Sequence, residues 1–205
     1  MAVDALQADV ARIALTAAQE HGFALAGGNA LVAHGVLERA TEDVDLFTPE
    51  PGGPGAVIDT VRAALEEAGY AVEVTRSPEV HHGEFARLAV TRGDQGVQLD
   101  LGRDWRQWPP VGLEVGPVLH IDDAVGSKVA ALVGRGLPRD CIDVAASLGR
   151  YGRPQLMRLA FIRDPGLRVE DFASAARRLD HLPADMFAVH GTGFGCRGGA
   201  AGTIR

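Results

Sequence analysis

The sequence predicts an α+β fold, in which a mixed β-sheet is flanked by helices and followed by a helical C-terminal part. Short apolar runs typical of strands lie before residue 121. From residue 121 onward, apolar residues recur at helical spacing. We therefore divide the chain into a core at residues 1–120, a helical part at residues 121–189, and a Gly-rich tail at residues 190–205 that is predicted to be disordered.

The core is predicted to alternate helices and strands. Leu6, Val10 and Ile13 are apolar at helical spacing and begin the first helix. A short apolar strand then ends at a Gly-Gly pair, and Asn29 is predicted to cap the short helix that follows. Strands are predicted at residues 23–26, 41–47, 70–75, 85–91 and 97–101, with a further candidate at residues 115–120. Longer helices are predicted at residues 5–20, 56–68, 122–133, 139–148, 154–162 and 169–182.

Composition limits the function classes. The net charge of −7 and the pI of about 5.5 argue against a broadly basic nucleic-acid binder. Cys141 and Cys196 have no metal-ligand spacing, and the N-terminus lacks a signal-peptide pattern, which favours the reducing cytoplasm. No apolar run approaches the roughly 20 residues that a membrane span needs, so no membrane partner is expected.

Two carboxylates stand one residue apart in the apolar strand at residues 41–47. Because side chains alternate along a strand, Asp43 and Asp45 point to one face, while Val44 and Leu46 point to the other. Like charges this close raise each other's pKa and destabilise a sheet unless a cation or hydrogen-bond donors neutralise them. Mg²⁺ (or Mn²⁺) would neutralise them and leave positions for substrate phosphates. The alternative is a solvent-facing edge strand, because a bare D-x-D is common.

The Gly27-Gly28 pair lies between a strand and a helix start, where unpaired backbone N–H groups favour a phosphate. With D-x-D on the next strand, the pair offers the anion and metal sites that a nucleoside triphosphate with Mg²⁺ needs. Asp100 shares a strand face with Gln98 and is a third candidate metal ligand or the general base for an attacking hydroxyl. Its alternative role is that of an ordinary polar residue on the strand face.

Lys128 falls on an apolar helix stripe with Ile121 and Leu132. A lysine there either extends outward along its neighbours or directs its ammonium group at a buried anion. On the next helix, Arg139 and Asp143 are four residues apart and are predicted to share a face, where they would form an ordinary surface ion pair.

These stretches carry a family resemblance. The segments GGNALVAHGVLERATEDVDLF and SKVAALVGRGLPRDCIDVAAS resemble the nucleotidyltransferase-like AbiEii/AbiGii toxin family, which includes the MenT-type toxins. That family is a branch of the DNA polymerase β-like nucleotidyltransferase superfamily, and the resemblance covers about residues 23–148. The match assigns the nucleotide-phosphate loop to Gly27, Gly28 and Asn29, the metal pair to Asp43 and Asp45, the essential triphosphate lysine to Lys128, and the late acidic residue to Asp143. Asn29 stands where the family usually has Ser or Thr.

The resemblance implies a nucleotidyltransferase core at residues 1–120 and a helical part that closes a cleft. It also implies metal-dependent transfer of a nucleoside monophosphate from an NTP to an acceptor hydroxyl. In related toxins the acceptor is the 3′ end of tRNA, and a cognate antitoxin is encoded alongside. On this hypothesis Asp43 and Asp45 hold Mg²⁺, Lys128 neutralises the triphosphate, and Asp100 or Asp143 orients or deprotonates the acceptor.

Two alternatives belong to other classes. One is a nucleotidyltransferase that modifies a small molecule such as an antibiotic, because the acidic net charge suits a cationic drug. The other is a catalytically silent module that binds a nucleotide or a partner. The intact D-x-D, Lys128 and Asp143 argue against a silent module. Base selectivity depends on pocket shape, so the sequence predicts neither the NTP nor the acceptor.

Overall fold

The computed structural model describes residues 3–183 and 185–188, in which seven strands form one mixed sheet. The strands are β1 (Ala24–Leu25), β2 (Asp43–Thr48), β3 (Ala71–Arg76), β4 (Phe85–Arg92), β5 (Gln95–Arg103), β6 (Val111–Leu113) and β7 (Gly116–Val118). Their order in the sheet is β3-β4-β5-β2-β1-β7-β6. The pairs β2–β5 and β1–β7 are parallel, and the others are antiparallel. The predicted α+β fold class is confirmed.

Helices cover the sheet and form most of the C-terminal part. They are α1 (Ala5–Ala17), α2 (Gly27–Ala33), α3 (Gly53–Glu67), α4 (Ile121–Gly134), α5 (Pro138–Ser147), α6 (Arg153–Arg163), α7 (Val169–Asp180) and α8 (Asp185–Ala188). Helices α1 and α3 pack against each other and against the central strands. Helix α4 contacts α2, α5, α6 and α7, so it joins the helical part to the core.

The alternation along β2 produces the predicted division of faces. Val44 and Leu46 are fully buried and belong to one apolar cluster with Val10 of α1 and Val61 of α3. Burying these side chains provides about 25 cal/mol per Å² of apolar surface removed from water, which favours this register of β2. Asp43 and Asp45 therefore lie on the opposite face of the sheet, where they are only partly buried.

Two local expectations were wrong, and one short strand was missed. Helix α2 begins at Gly27 with Ala26 as its N-cap, so Asn29 lies inside the helix and is not the cap. Helix α1 ends at Ala17 because a separate 3₁₀ turn, Gln19–His21, follows it. Strand β6 was not expected, because its three residues carry little pattern of their own and are held by antiparallel pairing with β7.

The last strand ends at Val118 and α4 begins at Ile121, so the change from strands to helices lies where the sequence puts it. The apolar cluster includes Val118 from the sheet and Val125 and Leu159 from the helical part. The division into domains at residue 120 stays a prediction. The Gly-rich tail at residues 190–205, with its predicted disorder, lies outside the described residues. In the part of the chain that the structure describes, no helix combines the length and the apolar character needed to cross a membrane.

Candidate active site

A polar cavity of about 280 Å³ lies between the outer face of the central strands and helix α4. Its lining includes the sequence-predicted residues Gly27, Gly28, Asp43, Asp45, Asp100 and Lys128. It also includes four arginines: Arg39, Arg87, Arg135 and Arg139. Two predicted site residues, Asn29 and Asp143, are almost fully buried behind this wall. The structure thus brings the predicted carboxylates and the lysine to one cavity.

The register of two parallel strands brings the carboxylates together. Asp45 of β2 lies directly beside Asp100 of β5, and Asp43 lies beside Gln98. Directly paired residues in a sheet project to the same face, so all three aspartates reach the cavity. This proximity of negative charges contributes to the raised pKa values of Asp43 and Asp45 on β2.

Burial raises the pKa of Asp45 to about 6, with further increases from the charges of Asp100 and Asp43, against the opposing effect of Lys128. The pKa of Asp43 is also raised, first by burial and then by the charge of Asp100. Within the described residues, neither carboxylate has a direct ion pair, in contrast to Asp100 and Asp143. Two close, under-neutralised carboxylates are a donor set that fits Mg²⁺, which keeps further positions for phosphate oxygens and water.

Asp100 is neutralised by an arginine from the neighbouring strand. Arg87 of β4 pairs with Asp100 in the antiparallel register, and its Nε and Nη2 each donate to one carboxylate oxygen at 2.7 Å. In residues 3–183 and 185–188, no three His, Cys, Asp or Glu side chains form a group that could hold a metal by themselves. Asp100 as a third metal ligand therefore stays a prediction, and it requires Arg87 to release one oxygen.

Lys128 directs its ammonium group at a buried anion. Its Nζ lies 2.8 Å from Oδ2 of Asp143, and only 12% of its side chain is exposed. Asp143 is fully buried, and its Oδ1 accepts a hydrogen bond from Nε of Arg39 at 2.9 Å. The predicted surface pair between Arg139 and Asp143 is wrong, because Asp143 faces inward and its charge is compensated by these two buried cations. Arg139 instead lies 3.7 Å from Glu42 at the cavity.

The glycine pair is required by space as well as by backbone conformation. A Cβ on Gly27, whose φ is +60°, would lie 1.8 Å from Oδ2 of Asp45. A Cβ on Gly28 would lie 2.8 Å from Cγ2 of Thr41. Asn29 acts behind the pair: its amide nitrogen donates to the carbonyl of Asp43 at 2.9 Å, and its amide oxygen accepts from Thr41 at 2.8 Å. The structure thus places the Asn29 side chain on the backbone of the D-x-D strand, outside the cavity lining.

The cavity arginines were not singled out from the sequence as site residues. Arg87 carries a weak signal, because it alternates with the buried Ala86 and Leu88 on β4 and so falls on the same sheet face as Asp100. Arg39 comes from the segment between α2 and β2. Arg135 is the C-cap of α4, and its guanidinium donates two hydrogen bonds to the carboxylate of the buried Asp140. No local periodicity marks these two positions, because their partners are set by tertiary packing.

One family model matches most of the chain, and solved structures share its fold. Residues 10–184 match the family model described as the nucleotidyl transferase AbiEii toxin of type IV toxin-antitoxin systems. MenT4, a nucleotidyltransferase toxin from Mycobacterium tuberculosis H37Rv, superposes with a TM-score of 0.54 at 20% identity, covering 81% of this chain and 70% of that chain. JHP933 from Helicobacter pylori superposes with a TM-score of 0.53 at 16% identity, covering 92% and 90%. At these identities the likeness shows the fold. None of the curated proteins matches the sequence.

Proposed function

The chain belongs to the AbiEii nucleotidyl transferase toxin family, and from this premise we propose that it transfers a nucleoside monophosphate from an NTP to the 3′ end of tRNA in a metal-dependent reaction. Membership makes it an enzyme of the nucleotidyltransferase class. The main support for this reaction is the pair Asp43 and Asp45, whose pKa values are raised and which have no ion pair within the described residues. The pair shares one cavity with Lys128 and with the space left by Gly27 and Gly28.

The sequence-predicted residues that line the cavity each have a role in the proposed reaction. Asp43 and Asp45 would hold Mg²⁺ (or Mn²⁺) together with phosphate oxygens of the NTP. When bound, the metal neutralises charge on the triphosphate. Lys128 adds a second positive charge from the helical side, while Gly27 and Gly28 let the phosphates approach the backbone. Positioning and charge neutralisation of this kind account for most of the catalysis of phosphoryl-type transfer.

Asp100 and Asp143 are the two candidate proton acceptors. The role of general base predicted for Asp100 or Asp143 stays a prediction. Asp100 lines the cavity and is therefore the better placed of the two, although its oxygens accept from Arg87 in this structure. Asp143 does not line the cavity, because both its oxygens face Arg39 and Lys128.

The basic rim supports an anionic acceptor over a cationic drug. Arg135 and Arg139 line the cavity on the side of helices α4 and α5, with 49% and 32% of their side chains exposed. Partly exposed arginines on the cavity wall favour a phosphate backbone over a polyamine antibiotic, although Arg135 is paired with Asp140 and Arg139 more loosely with Glu42. The family description adds a cognate antitoxin as a proposed partner. We place this reaction in the cytoplasm, where NTPs and tRNA are present.

The test is transfer of label from each NTP, with Mg²⁺, to total tRNA and in parallel to a panel of antibiotics. Label on tRNA supports the proposal, and periodate oxidation of the 3′-terminal ribose should then abolish it. Label on a drug would establish the small-molecule alternative. Binding of NTP without any transfer would favour the silent module. Chelation of the metal should stop transfer in either active case.

We expect Gly27→Ala to remove binding of the Mg²⁺–NTP complex, because the new methyl group would overlap the Asp45 carboxylate. Gly93→Ala is the matched control: Gly93 also has a positive φ, but its Cβ would meet open space. Both variants should lose about 1–2 kcal/mol of stability from the left-handed backbone, and Gly27→Ala should lose more because Asp45 must shift. Only Gly27→Ala should lose the rise in Tm that Mg²⁺–NTP gives the wild type. Equal nucleotide protection in both variants would contradict the role of Gly27.

We expect Arg139→Ala to raise the KM for tRNA and to flatten the dependence of log(kcat/KM) on salt, because one phosphate contact at the rim is lost. The KM for NTP should change little, since Arg139 is partly exposed and paired loosely with Glu42, at 3.7 Å. Arg62→Ala is the control, because Arg62 is an exposed arginine on α3 with its own partner, Asp59. An unchanged salt dependence in Arg139→Ala would argue against acceptor binding at this rim.

A further inference from the structure

We propose that Arg39 and Asp143 are positioning residues: Asp143 holds Lys128 against the cavity, and Arg39 keeps Asp143 neutralised when Lys128 moves onto the substrate phosphates. This inference rests on the proposed function. On this hypothesis Asp143 acts from behind the cavity wall, and Arg39, which comes from the segment before β2, is also part of the site. We call Arg39, Asp143 and Lys128 the buried ion network.

The burial of Asp143 separates it from the acceptor. Its side chain is 0% exposed and does not line the cavity, whereas Arg39 and Lys128 both do. Oδ1 faces Nε and Nη2 of Arg39 at 2.9 Å and 2.8 Å, and Oδ2 faces Nζ of Lys128 at 2.8 Å. A carboxylate enclosed in this way acts on a reaction through its neighbours.

The two cations are bound differently. Arg39 donates a true hydrogen bond to Oδ1, and only 6% of its side chain is exposed. Oδ2 has no hydrogen-bond partner in the described part of the chain, so Lys128 meets it as an ion pair alone. The planar guanidinium is therefore the fixed partner of Asp143, and the flexible lysine is the exchangeable one.

This difference has a consequence for substrate binding. When Lys128 turns its ammonium towards a triphosphate, Asp143 would be left as a buried, unpaired charge if it had no other cation, and that is strongly unfavourable. Arg39 removes this penalty. The network also carries two positive charges against one negative charge, so the wall that faces Asp43 and Asp45 keeps a net positive charge for the phosphates.

The network also holds Lys128 ready before the substrate arrives. A free lysine side chain loses rotamer freedom when it is immobilised on a ligand, and a lysine already restrained by Asp143 loses less. The three residues come from the segment before β2, from α4 and from α5. Their contacts therefore also fix the helical wall relative to the D-x-D strand.

The test is a double-mutant cycle on the transfer rate with Lys128→Met, Asp143→Asn and both changes together. We expect Asp143→Asn to lower transfer by about 10–100-fold, as is usual for a residue that orients a functional side chain. The double variant should be no slower than Lys128→Met alone, because Asp143 acts through Lys128. If the fold-losses in transfer rate of the two single variants multiply in the double variant, the proposal is overturned.

The pH profile separates positioning from base catalysis. A general base gives kcat an acidic limb that disappears when the base is replaced. We expect Asp143→Asn to keep the shape of the wild-type profile at a lower amplitude. Loss of the acidic limb in Asp143→Asn would show that Asp143 takes the proton and would overturn its positioning role.

Arg39→Met keeps the proposal testable if Asp143→Asn does not fold, because Asp143 then retains Lys128 as its partner. We expect Arg39→Met to weaken binding of inorganic tripolyphosphate, measured by calorimetry, because Lys128 is drawn back to Asp143. Arg39→Lys should restore part of the affinity. The exposed pair Arg62 and Asp59 supplies the controls Arg62→Met and Asp59→Asn, which should change neither the transfer rate nor the affinity for tripolyphosphate. Wild-type affinity in Arg39→Met would overturn the role of Arg39.

The two hypotheses fail in different ways. If the wild type transfers no label from any NTP, the proposed function fails, and tripolyphosphate affinity across the same variants still measures the coupling of Asp143 to Lys128. If the wild type is active but the cycle is multiplicative, only the network fails.

Discussion

We expect Lys128→Met to lower the rate of nucleotidyl transfer by about 10²–10³-fold, or about 3–4 kcal/mol of transition-state stabilisation, because one preorganised charge on the triphosphate is lost. Methionine keeps the length and the apolar stem of the side chain on a helix face that packs against the core. Asp143 stays neutralised by Arg39, which donates to Oδ1, although its Oδ2 loses the ion pair with Lys128. Stability, measured by urea unfolding, should therefore be close to that of the wild type.

Two further variants define this result. Lys128→Arg should restore activity only in part, because a planar guanidinium does not replace a compact ammonium group in a cavity of this size. Arg62→Met, at an exposed position on α3, should transfer at the wild-type rate. A folded Lys128→Met protein with wild-type transfer would remove Lys128 from the mechanism and leave the D-x-D pair as the main support for the site.

We expect Asp45→Asn to lower transfer by about 10²–10³-fold and at the same time to stabilise the metal-free protein. The loss of transfer follows from weaker metal binding, because metal-ion charge stabilisation contributes several kcal/mol to such reactions. The gain in stability follows from the charge that the asparagine removes. Burial and the neighbouring carboxylates disfavour the ionised form of Asp45 in the folded protein.

The pH dependence of that gain has a definite sign. The pKa of Asp45 rises from 3.8 in the unfolded chain to about 6 in the folded protein. Between these values the folded protein keeps a proton that the unfolded chain has released, so wild-type stability falls as the pH rises through this window. A shift of about two pKa units corresponds to about 3 kcal/mol, and relaxation of the site reduces it. Asp45→Asn should therefore be more stable than the wild type by about 1–3 kcal/mol at about pH 8, and by almost nothing at about pH 4.

The measurement is urea unfolding of both proteins at the two pH values in the presence of a chelator. Asp59→Asn is the control, since Asp59 is 84% exposed and should show no comparable gain. Addition of Mg²⁺ with NTP should raise the Tm of the wild type and leave that of Asp45→Asn nearly unchanged. A variant less stable than the wild type at about pH 8 would contradict the electrostatic account of the pair.

Local patterns in the sequence were enough for the fold class and for much of the candidate site. The period of two along β2 separates Asp43 and Asp45 from Val44 and Leu46, because a strand must bury one face to be stable. The helical period places Lys128 on the inner side of α4 by the same argument. These predictions depend only on neighbours a few residues apart, and burial of apolar surface then enforces them.

The partners of these residues were decided by the tertiary structure. Arg87 meets Asp100 through strand register, and Arg39 meets Asp143 across 104 residues of sequence. Asn29, matched to the phosphate loop, holds the backbone of Asp43 instead of facing the cavity, because α2 begins three residues earlier than its pattern predicts. Charged groups pair with whatever packing brings within a few ångströms, and hydrophobic periodicity carries no information about that distance. The sequence alone therefore determined which side chains of β2 and α4 face inward, while the three-dimensional packing decided which carboxylates are neutralised by arginine or lysine and which have no ion pair within the described residues.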